Sequence, residues 1–479
     1  MTELLIGDVL TASAARRPHG LAVSLSGESL TYAQLAVRAE EIAAALLSYG
    51  VDRGDRVAWQ AETSLDAVAL YFGAAHIGAI FTPLNPHSTA QETSALLAQA
   101  EPAIVLGDDS SGHLSLSALL EATKGKAPRS RPTVLETDGQ VIFYTSGTTG
   151  TPKGCILSHR AQRLRAGTGS PWPIGGTVCM FPQFHMASWM KSLEAWVCSS
   201  NVIMVERPNA ENLIGAIERH RAARLYCIPA VWRRILEADR GGRDLSSLRF
   251  VETGTSSTSP QFLRDLADAF PQAAISVTYG STEAGAVCVL GPSDVHRKPG
   301  SVGLAFPTCE IKLDRDCAIM VRSPWLFSGY FRNPLATEAA LVDGWYRSGD
   351  VAIRDEEQYY EIVGRVNDLI RTGGETVAPV EVEASIQSHP DVTEVAIAGV
   401  PDETWGEIVT AFVVLRGDAT ITLDQLRLHC ASTLAAHKRP RKLVVVDRIP
   451  RTSATGQIQR KQLLKTMLER QPAPTNGAA

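Results

Sequence analysis

The densest run of chemically capable residues is Tyr144-Thr-Ser-Gly-Thr-Thr-Gly-Thr-Pro-Lys-Gly154, placed directly after the apolar run Val141–Phe143. Small hydroxyl residues interleaved with glycine let backbone N–H and side-chain O–H groups close around phosphate oxygens, and Lys153 adds a positive charge. The chemistry this predicts is the holding of a nucleoside triphosphate. The run is not a Walker A motif, because counting from Gly147 the second glycine of G-x-x-x-x-G-K would fall on Pro152. A flexible Gly/Thr linker is the plain alternative, but it would not ordinarily set a lone lysine after proline in so dense a run.

Such a loop needs a frame. Over the first two-thirds of the chain, short apolar runs alternate with helix-like stretches, the pattern of an α/β fold with parallel strands. Arg56–Gln60 is predicted as a strand, Ser64–His76 as a helix and Ala79–Thr82 as the next strand. Ala103–Leu106, Val202–Val205, Leu225–Ile228, Phe250–Glu252 and Ile275–Thr278 are further strand-like runs. Ligand sites in such folds lie beyond the carboxyl ends of the strands, so the residues after these runs are the candidates for chemistry. After about Gly364 the texture changes to a compact α+β unit. Pro379 opens a helix that His389-Pro390 closes, Glu394–Val400 and Ile408–Leu415 are predicted strands, and Thr422 with Gln425 forms a capping box. That box starts a helix with Leu423, Leu426, Cys430 and Leu434 on one face, before a last strand, Leu443–Val446. The tail Gln471–Ala479 has the composition of a disordered segment.

Composition narrows the function. The 479 residues carry 46 Lys and Arg against 51 Asp and Glu, a net charge of −5, which argues against nucleic-acid binding by bulk charge. At about 100–200 residues per domain the length allows two to four domains. No stretch approaches the roughly 18 uninterrupted apolar residues of a membrane span. Met1–Leu10 carries Glu3 and Asp8 where a signal peptide would carry basic residues, so a soluble cytoplasmic protein is expected. The eight cysteines (155, 179, 198, 227, 288, 309, 317 and 430) form no C-x-x-C pair and are all expected as buried thiols rather than zinc ligands or disulfides.

Further motifs flank the loop in order: Leu30-Thr-Tyr-Ala-Gln-Leu35 and Gly78-Ala-Ile-Phe-Thr-Pro-Leu-Asn-Pro86 precede it, and Tyr279-Gly-Ser-Thr-Glu-Ala-Gly285, Trp345-Tyr-Arg-Ser-Gly-Asp350 and Gly364-Arg-Val-Asn-Asp368 come after. Together they resemble the adenylate-forming enzymes, the superfamily of acyl-CoA synthetases, amino-acid-adenylation domains and firefly luciferase, over essentially residues 30–462. The resemblance implies a large multi-layer α/β N-terminal domain, 1–366, and a small mobile α+β lid, 367–479, with a hinge at Asn367. It implies that a carboxylic acid attacks the α-phosphate of ATP to give an acyl-adenylate and pyrophosphate, which requires positive charge and oriented donors where two anions meet. By the same resemblance Thr145, Ser146, Gly147, Thr148, Thr149, Gly150 and Lys153 would hold the β- and γ-phosphates. Thr282 would touch the α-phosphate, and Glu283 would ligate Mg²⁺, for which one carboxylate beside phosphate oxygens is enough. Gly254, Thr255, Ser256, Tyr279, Gly280 and Ser281 would form the adenine side, with Tyr279 stacked on the base. Asp350 would accept the ribose hydroxyls, with Arg365 nearby. Taken alone, Glu283 could equally be a charge at a helix N-terminus, Tyr279 core packing and Asp350 a turn residue after Gly349.

Substrate and acceptor follow from smaller signals. His185, in Phe181-Pro-Gln-Phe-His-Met-Ala187, stands where acyl- and aryl-CoA synthetases have His and where the amino-acid-adenylating branch has an Asp for the substrate ammonium. A neutral imidazole cannot supply that ion pair, so a fatty, aryl or related acid is expected. A packed core histidine is the plain alternative. The acyl pocket would be lined by parts of Phe184–Trp189, Thr253–Ser256 and Gly280–Val287. Val400-Pro-Asp-Glu-Thr-Trp-Gly-Glu407 and Ala436-His-Lys-Arg-Pro-Arg441 resemble acyl-CoA synthetases in particular. Coenzyme A is therefore the expected acceptor, met by Gly373, Gly374, Lys438 and Arg439, although a solvated charge run explains the basic cluster equally well. A separate carrier protein is the alternative acceptor, and a catalytically impaired nucleotide-binding relative the alternative class.

The family's final segment, Pro-Arg-Thr-x-x-Gly-Lys-Ile, supplies a lysine that bridges the substrate carboxylate and the α-phosphate. Here the chain reads Pro450-Arg-Thr-Ser-Ala-Thr-Gly-Gln-Ile458, with one extra residue and Gln457 in the lysine's place. An introduced Lys→Gln replacement, a slow natural enzyme and loss of the half-reaction would each explain it. The first is favoured because the other nucleotide motifs are intact. Thr253-Gly-Thr-Ser-Ser-Thr258 likewise replaces the family's Gly/Ala/Pro-rich adenine strand with hydroxyl residues, and Asn367 stands where Asp or Lys is common.

Overall fold

The parallel α/β frame forms as the alternation of apolar runs and amphipathic stretches dictates. A computed structural model describes residues 3–108, 112–145, 152–168, 175–239, 241–256, 258–451 and 457–469. Their contacts separate two units, Met1–Ile311 with Val321–Arg347 and Lys312–Met320 with Ser348–Ala479. That division follows packing, whereas the boundary expected at 366/367 is that of a hinge.

The larger unit contains two sheets among the described residues. In the first, Arg56–Gln60 lies between parallel neighbours Ile80–Pro83 and Ile104–Gly107, and Ile80–Pro83 leads to Gly139–Thr145. In the second, Arg224–Cys227, Phe250–Gly254 and Ala274–Ser281 run parallel and in register, and Gly285–Leu290 returns antiparallel along the last of them. Helices start where local chemistry satisfies their first N–H groups. Thr31 and Gln34 cap Tyr32–Tyr49 reciprocally, and Ser64 caps Leu65–His76. Those two helices approach so closely that a Cβ on Gly73 would stand 2.9 Å from the Ala39 carbonyl oxygen, a space only glycine leaves open.

The smaller unit is built on the long antiparallel pair Val392–Asp402 and Gly406–Leu415, with Lys442–Val445 added in parallel. Its alternation serves both faces. Val395, Ile397, Val409, Ala411 and Val413 pack with Val382 and Ile386 of the helix Pro379–Gln387 and with Leu426, whereas Ala396, Ala398 and Phe412 pack with Leu463 and Met467. The capping box at Thr422 and Gln425 starts the helix Leu423–His429 as expected. Seven cysteines are buried, but Cys317 is exposed. It occupies a left-handed turn position (φ 58°) before the strand Ala318–Arg322, a place set by backbone direction rather than by apolar packing. The expected tail lies outside the described residues, and among those described no helix is long and apolar enough to cross a membrane.

Candidate active site

The expected phosphate loop spans a β-hairpin. Gly139–Thr145 and Lys153–Ser158 pair antiparallel, with Thr145 opposite Lys153 and Tyr144 opposite Gly154. Thr145 Oγ1 donates to the Lys153 carbonyl at 3.4 Å. The expected ligands Ser146, Gly147, Thr148, Thr149 and Gly150 lie outside the described residues. Lys153 itself is aimed over the ring of Tyr330, 5.1 Å from the centroid.

Glu283 is not at a helix N-terminus. It sits with Thr282 and Ala284 at the tip of a second hairpin, between Ala274–Ser281 and Gly285–Leu290. The turn is tight enough that a Cβ on Gly280 would fall 2.0 Å from the Gly285 carbonyl oxygen. Ser281 Oγ accepts the Ala284 N–H at 3.1 Å. The tip is then fastened from outside. Arg165, at 2% exposure in the helix His159–Ala166, donates from Nη1 to the Thr282 carbonyl at 2.9 Å, from Nη2 to the Glu283 carbonyl at 2.9 Å and from Nε to the Trp325 carbonyl at 3.0 Å. Burial lowers its pKa to about 10, which still leaves it charged at neutral pH. Phe327 N–H reaches the Glu283 carbonyl at 2.8 Å, and Tyr330 Oη donates to Glu283 Oε1 at 2.9 Å. Burial, and then the charge of Glu283, push the Tyr330 phenol well above its ordinary pKa, so it stays a donor.

Tyr330 therefore joins the two hairpins. Its strand, Gly329–Tyr330, pairs with Lys153–Ser158, its ring faces Lys153 and its hydroxyl holds Glu283. The second carboxylate oxygen of Glu283 makes no hydrogen bond among the described residues, and one such carboxylate oxygen would suit Mg²⁺, which takes few protein ligands. Neither Arg165 nor Tyr330 is apparent from sequence. An arginine four residues beyond the buried Ala161 hints at an inward-facing cation, while a lone tyrosine after a glycine gives no signal.

On the adenine and acyl sides, Gly254 ends a strand so close to its neighbour that a Cβ would lie 2.2 Å from the Thr278 carbonyl oxygen. Thr255 takes a left-handed backbone (φ 70°), unusual for a β-branched residue, and its hydroxyl pairs with Tyr226 Oη at 3.1 Å; Ser256 is exposed. Tyr279 is half-buried at a bulge in the ladder with Gly285–Leu290. His185 caps the helix Met186–Val197, its Nδ1 accepting the Ala187 N–H at 3.2 Å, and its ring stacks on Phe181. Burial lowers its pKa to about 4. The neutral ring with Nδ1 as acceptor carries its proton on Nε2. Trp189 belongs to the core instead, stacked 4.2 Å from Tyr71.

The smaller unit carries the remaining candidates. Asp350 pairs with Arg365 across two strands, Arg365 Nε lying 3.0 Å from Oδ1. Asn367 is exposed in a 3₁₀ turn whose neighbour Asp368 is held by Arg460 at 3.2 Å. Gly373 and Gly374 (φ 59° and 85°) form a two-residue hairpin turn that requires left-handed residues. Gly373 N–H donates to the Trp405 carbonyl at 2.9 Å, the Trp405 ring lies against its Cα, and Arg441 stacks 3.7 Å over that ring. Of the basic cluster, Lys438 is paired with Glu381 at 2.6 Å, and Arg439 donates to the Leu434 and Ala431 carbonyls. Trp405 adjoins the glycine turn, and Arg441 reaches it through the Trp405 ring. Gln457 is half-buried beside Ile458, which forms an isolated bridge with Arg451.

Residues 10–331 match the AMP-binding enzyme family and residues 381–455 the AMP-binding enzyme C-terminal domain. The chain is 31% identical to the indoleacetate–CoA ligase of Aromatoleum aromaticum, over 95% of this chain and 98% of that protein. Among solved structures, ATP-bound MatB from Rhodopseudomonas palustris superposes with a TM-score of 0.88 at 29% identity, covering 97% of this chain and 99% of that one. MenE from Bacillus subtilis, an o-succinylbenzoate CoA synthetase in complex with its acyl-adenylate intermediate, superposes at 0.87 with 25% identity, covering 97% and 98%.

Proposed function

Because this chain belongs to the AMP-binding enzyme family, we propose that it is an ATP-dependent carboxylic acid:CoA ligase working through an acyl-adenylate. The observation that carries this reading is the junction at Tyr330, which brings a cation for phosphate, Lys153, and a carboxylate for metal, Glu283, to one residue. A carboxylate oxygen of the acid attacks the α-phosphorus of ATP as the bond to pyrophosphate breaks, and the CoA thiol then displaces AMP from the acyl carbon. Mg²⁺ at Glu283 would offset phosphate charge. Lys153 and the adjoining loop hold the phosphates, Thr282 the α-phosphate, Tyr279 the adenine and Asp350 the ribose. Neutral His185 offers no counter-charge to an α-ammonium, so amino acids are excluded. Asn367 serves as the hinge between the two steps. The Gly373-Gly374 turn, with Trp405 and Arg441, meets CoA.

Gln457 makes the reading testable. A missing donor at a transition state costs roughly 10²–10³ in rate, so Gln457→Lys is expected to speed adenylation by about that factor. The thioester step, started from acyl-adenylate and CoA, should barely change. The measurement is pyrophosphate and CoA-thioester formation across a panel of acids. No pyrophosphate from any acid with either protein would leave a nucleotide-binding relative, and thioester formed only on a phosphopantetheinylated carrier would reassign the acceptor.

A further inference from the structure

Four charged side chains are buried together beside the segments expected to line the acyl pocket. Lys191 lies on the helix that His185 caps, two residues beyond Trp189, and Glu252 immediately precedes Thr253. Lys191 Nζ is 3.1 Å from Glu194 and 3.2 Å from Glu252, and Arg224 is 3.3 Å from Glu194 and 3.6 Å from Glu252. Side-chain exposures are 8% for Lys191 and Arg224, 4% for Glu194 and 14% for Glu252. The cluster reaches the pocket residues through one side chain: Lys191 lies 5.0 Å over the ring of Tyr226, whose hydroxyl pairs with Thr255 and whose ring packs on Phe181 beside His185.

Well-packed apolar residues of similar volume would hold a fold at least as well as a buried ion network, and a pocket for a plain alkyl or aryl acid would be apolar throughout. This network is also incomplete. Among the described residues Arg224 Nε is buried without a hydrogen-bond partner, and the Glu252 oxygen facing it, Oε1, stands beyond hydrogen-bond reach at 3.6 Å. An unpaired donor thus faces an acceptor with spare capacity. With two cations and two carboxylates the cluster has no net charge, so it favours a neutral dipolar group over an anion.

We infer that Glu252, with Lys191 and Arg224, recognises a hydroxyl group at the end of the acid substrate remote from its carboxylate. Such a hydroxyl donates to Glu252 and accepts from Arg224. The inference rests on the ligase reading and names the substrate class within it.

Purified protein is assayed by CoA-thioester formation with two matched series: 3-phenylpropanoate and its para-hydroxy and para-carboxy derivatives, and hexanoate, 6-hydroxyhexanoate and adipate. In the series that fits, the hydroxy acid should exceed the plain acid by about 10²-fold in kcat/KM, since a site built to bond a hydroxyl rejects the analogue that leaves its polar groups unpaired. Glu252→Gln, checked for an unchanged melting transition, leaves the cluster one positive charge in excess. It should reduce the hydroxy preference about tenfold and raise the carboxy acid's rate relative to the plain acid. Wild-type protein that uses plain and hydroxy acids equally, or prefers the carboxy acid, overturns the inference, as does a folded Glu252→Gln variant with the wild-type preference. If no acid in either series releases pyrophosphate with this protein or with Gln457→Lys, this inference is overturned, while the ligase reading is decided by the wider panel.

Discussion

The tip Thr282-Glu283-Ala284 and the tip Gly373-Gly374 both close antiparallel strands, yet the first is gripped by other elements while the second leans on a single tryptophan. Arg165 spends three charge-assisted bonds on carbonyls around Glu283, and Phe327 and Tyr330 add two more bonds. Gly373 donates its N–H to the Trp405 carbonyl. The difference follows from what each tip must present. On the proposed reading, a carboxylate that meets a metal and phosphates has to be held in one position against like charge, and buried donors to its backbone do that at about 1.5–3 kcal/mol each. A turn that, on the same reading, lets a thiol and its tether pass needs bare backbone and little else.

Glu283→Gln is the strongest way to break this contrast. It keeps the shape and the Tyr330 bond but removes the charge, so adenylation should fall by roughly 10³ while the thioester step from acyl-adenylate stays near its original rate. A loss shared equally by both steps would mean that Glu283 serves the fold rather than the metal.

Gly373→Ala probes the other tip with a smaller effect. The added Cβ would stand 2.7 Å from the Trp405 ring in a left-handed backbone, which costs about 1 kcal/mol for an L-residue. The thioester step should slow by about tenfold and adenylation should hold, read in the same two half-reactions. Slowed adenylation alone would place this turn in the first step.

The two tips were unequally legible in the sequence. Gly373-Gly374 announces a left-handed turn between two short strands, and the strand Arg56–Gln60 and the helix beginning at Pro379 also follow from local rules. Thr282–Ala284 does not announce itself, because Ser-Thr-Glu reads as a helix start as readily as a hairpin; only Gly280 and Gly285, which must approach within contact, decide it. The residues that fasten the site were the least visible. Arg165 lies in a polar helical stretch of a kind that ordinarily faces water, and Lys191 interrupts a largely apolar one, where a long cation ordinarily marks the exposed face; the burial of both depends on carbonyls and carboxylates far away in sequence. Cys317 failed in the opposite sense: a residue type usually buried is exposed because a turn fixes its place.

Tyr330→Phe sharpens the comparison with the smallest change. The ring stays, so its contact with Lys153, worth about 0.5–1 kcal/mol at a partly exposed site, is kept, and so is the strand pairing with Lys153–Ser158. Only the bond to Glu283 Oε1 is lost. Arg165 and Phe327 still hold the Glu283 backbone, so the carboxylate gains rotational freedom without leaving the site. The expected cost is about tenfold in the adenylation rate, or about 1.4 kcal/mol, together with a higher Mg²⁺ concentration for half-maximal rate and an unaltered thioester step. A purely structural tyrosine would lower the melting temperature and leave the Mg²⁺ dependence alone. If the variant melts earlier but titrates with Mg²⁺ as the parent does, the fastening of Glu283 resides in Arg165 and the backbone, and Tyr330 is packing between the two hairpins.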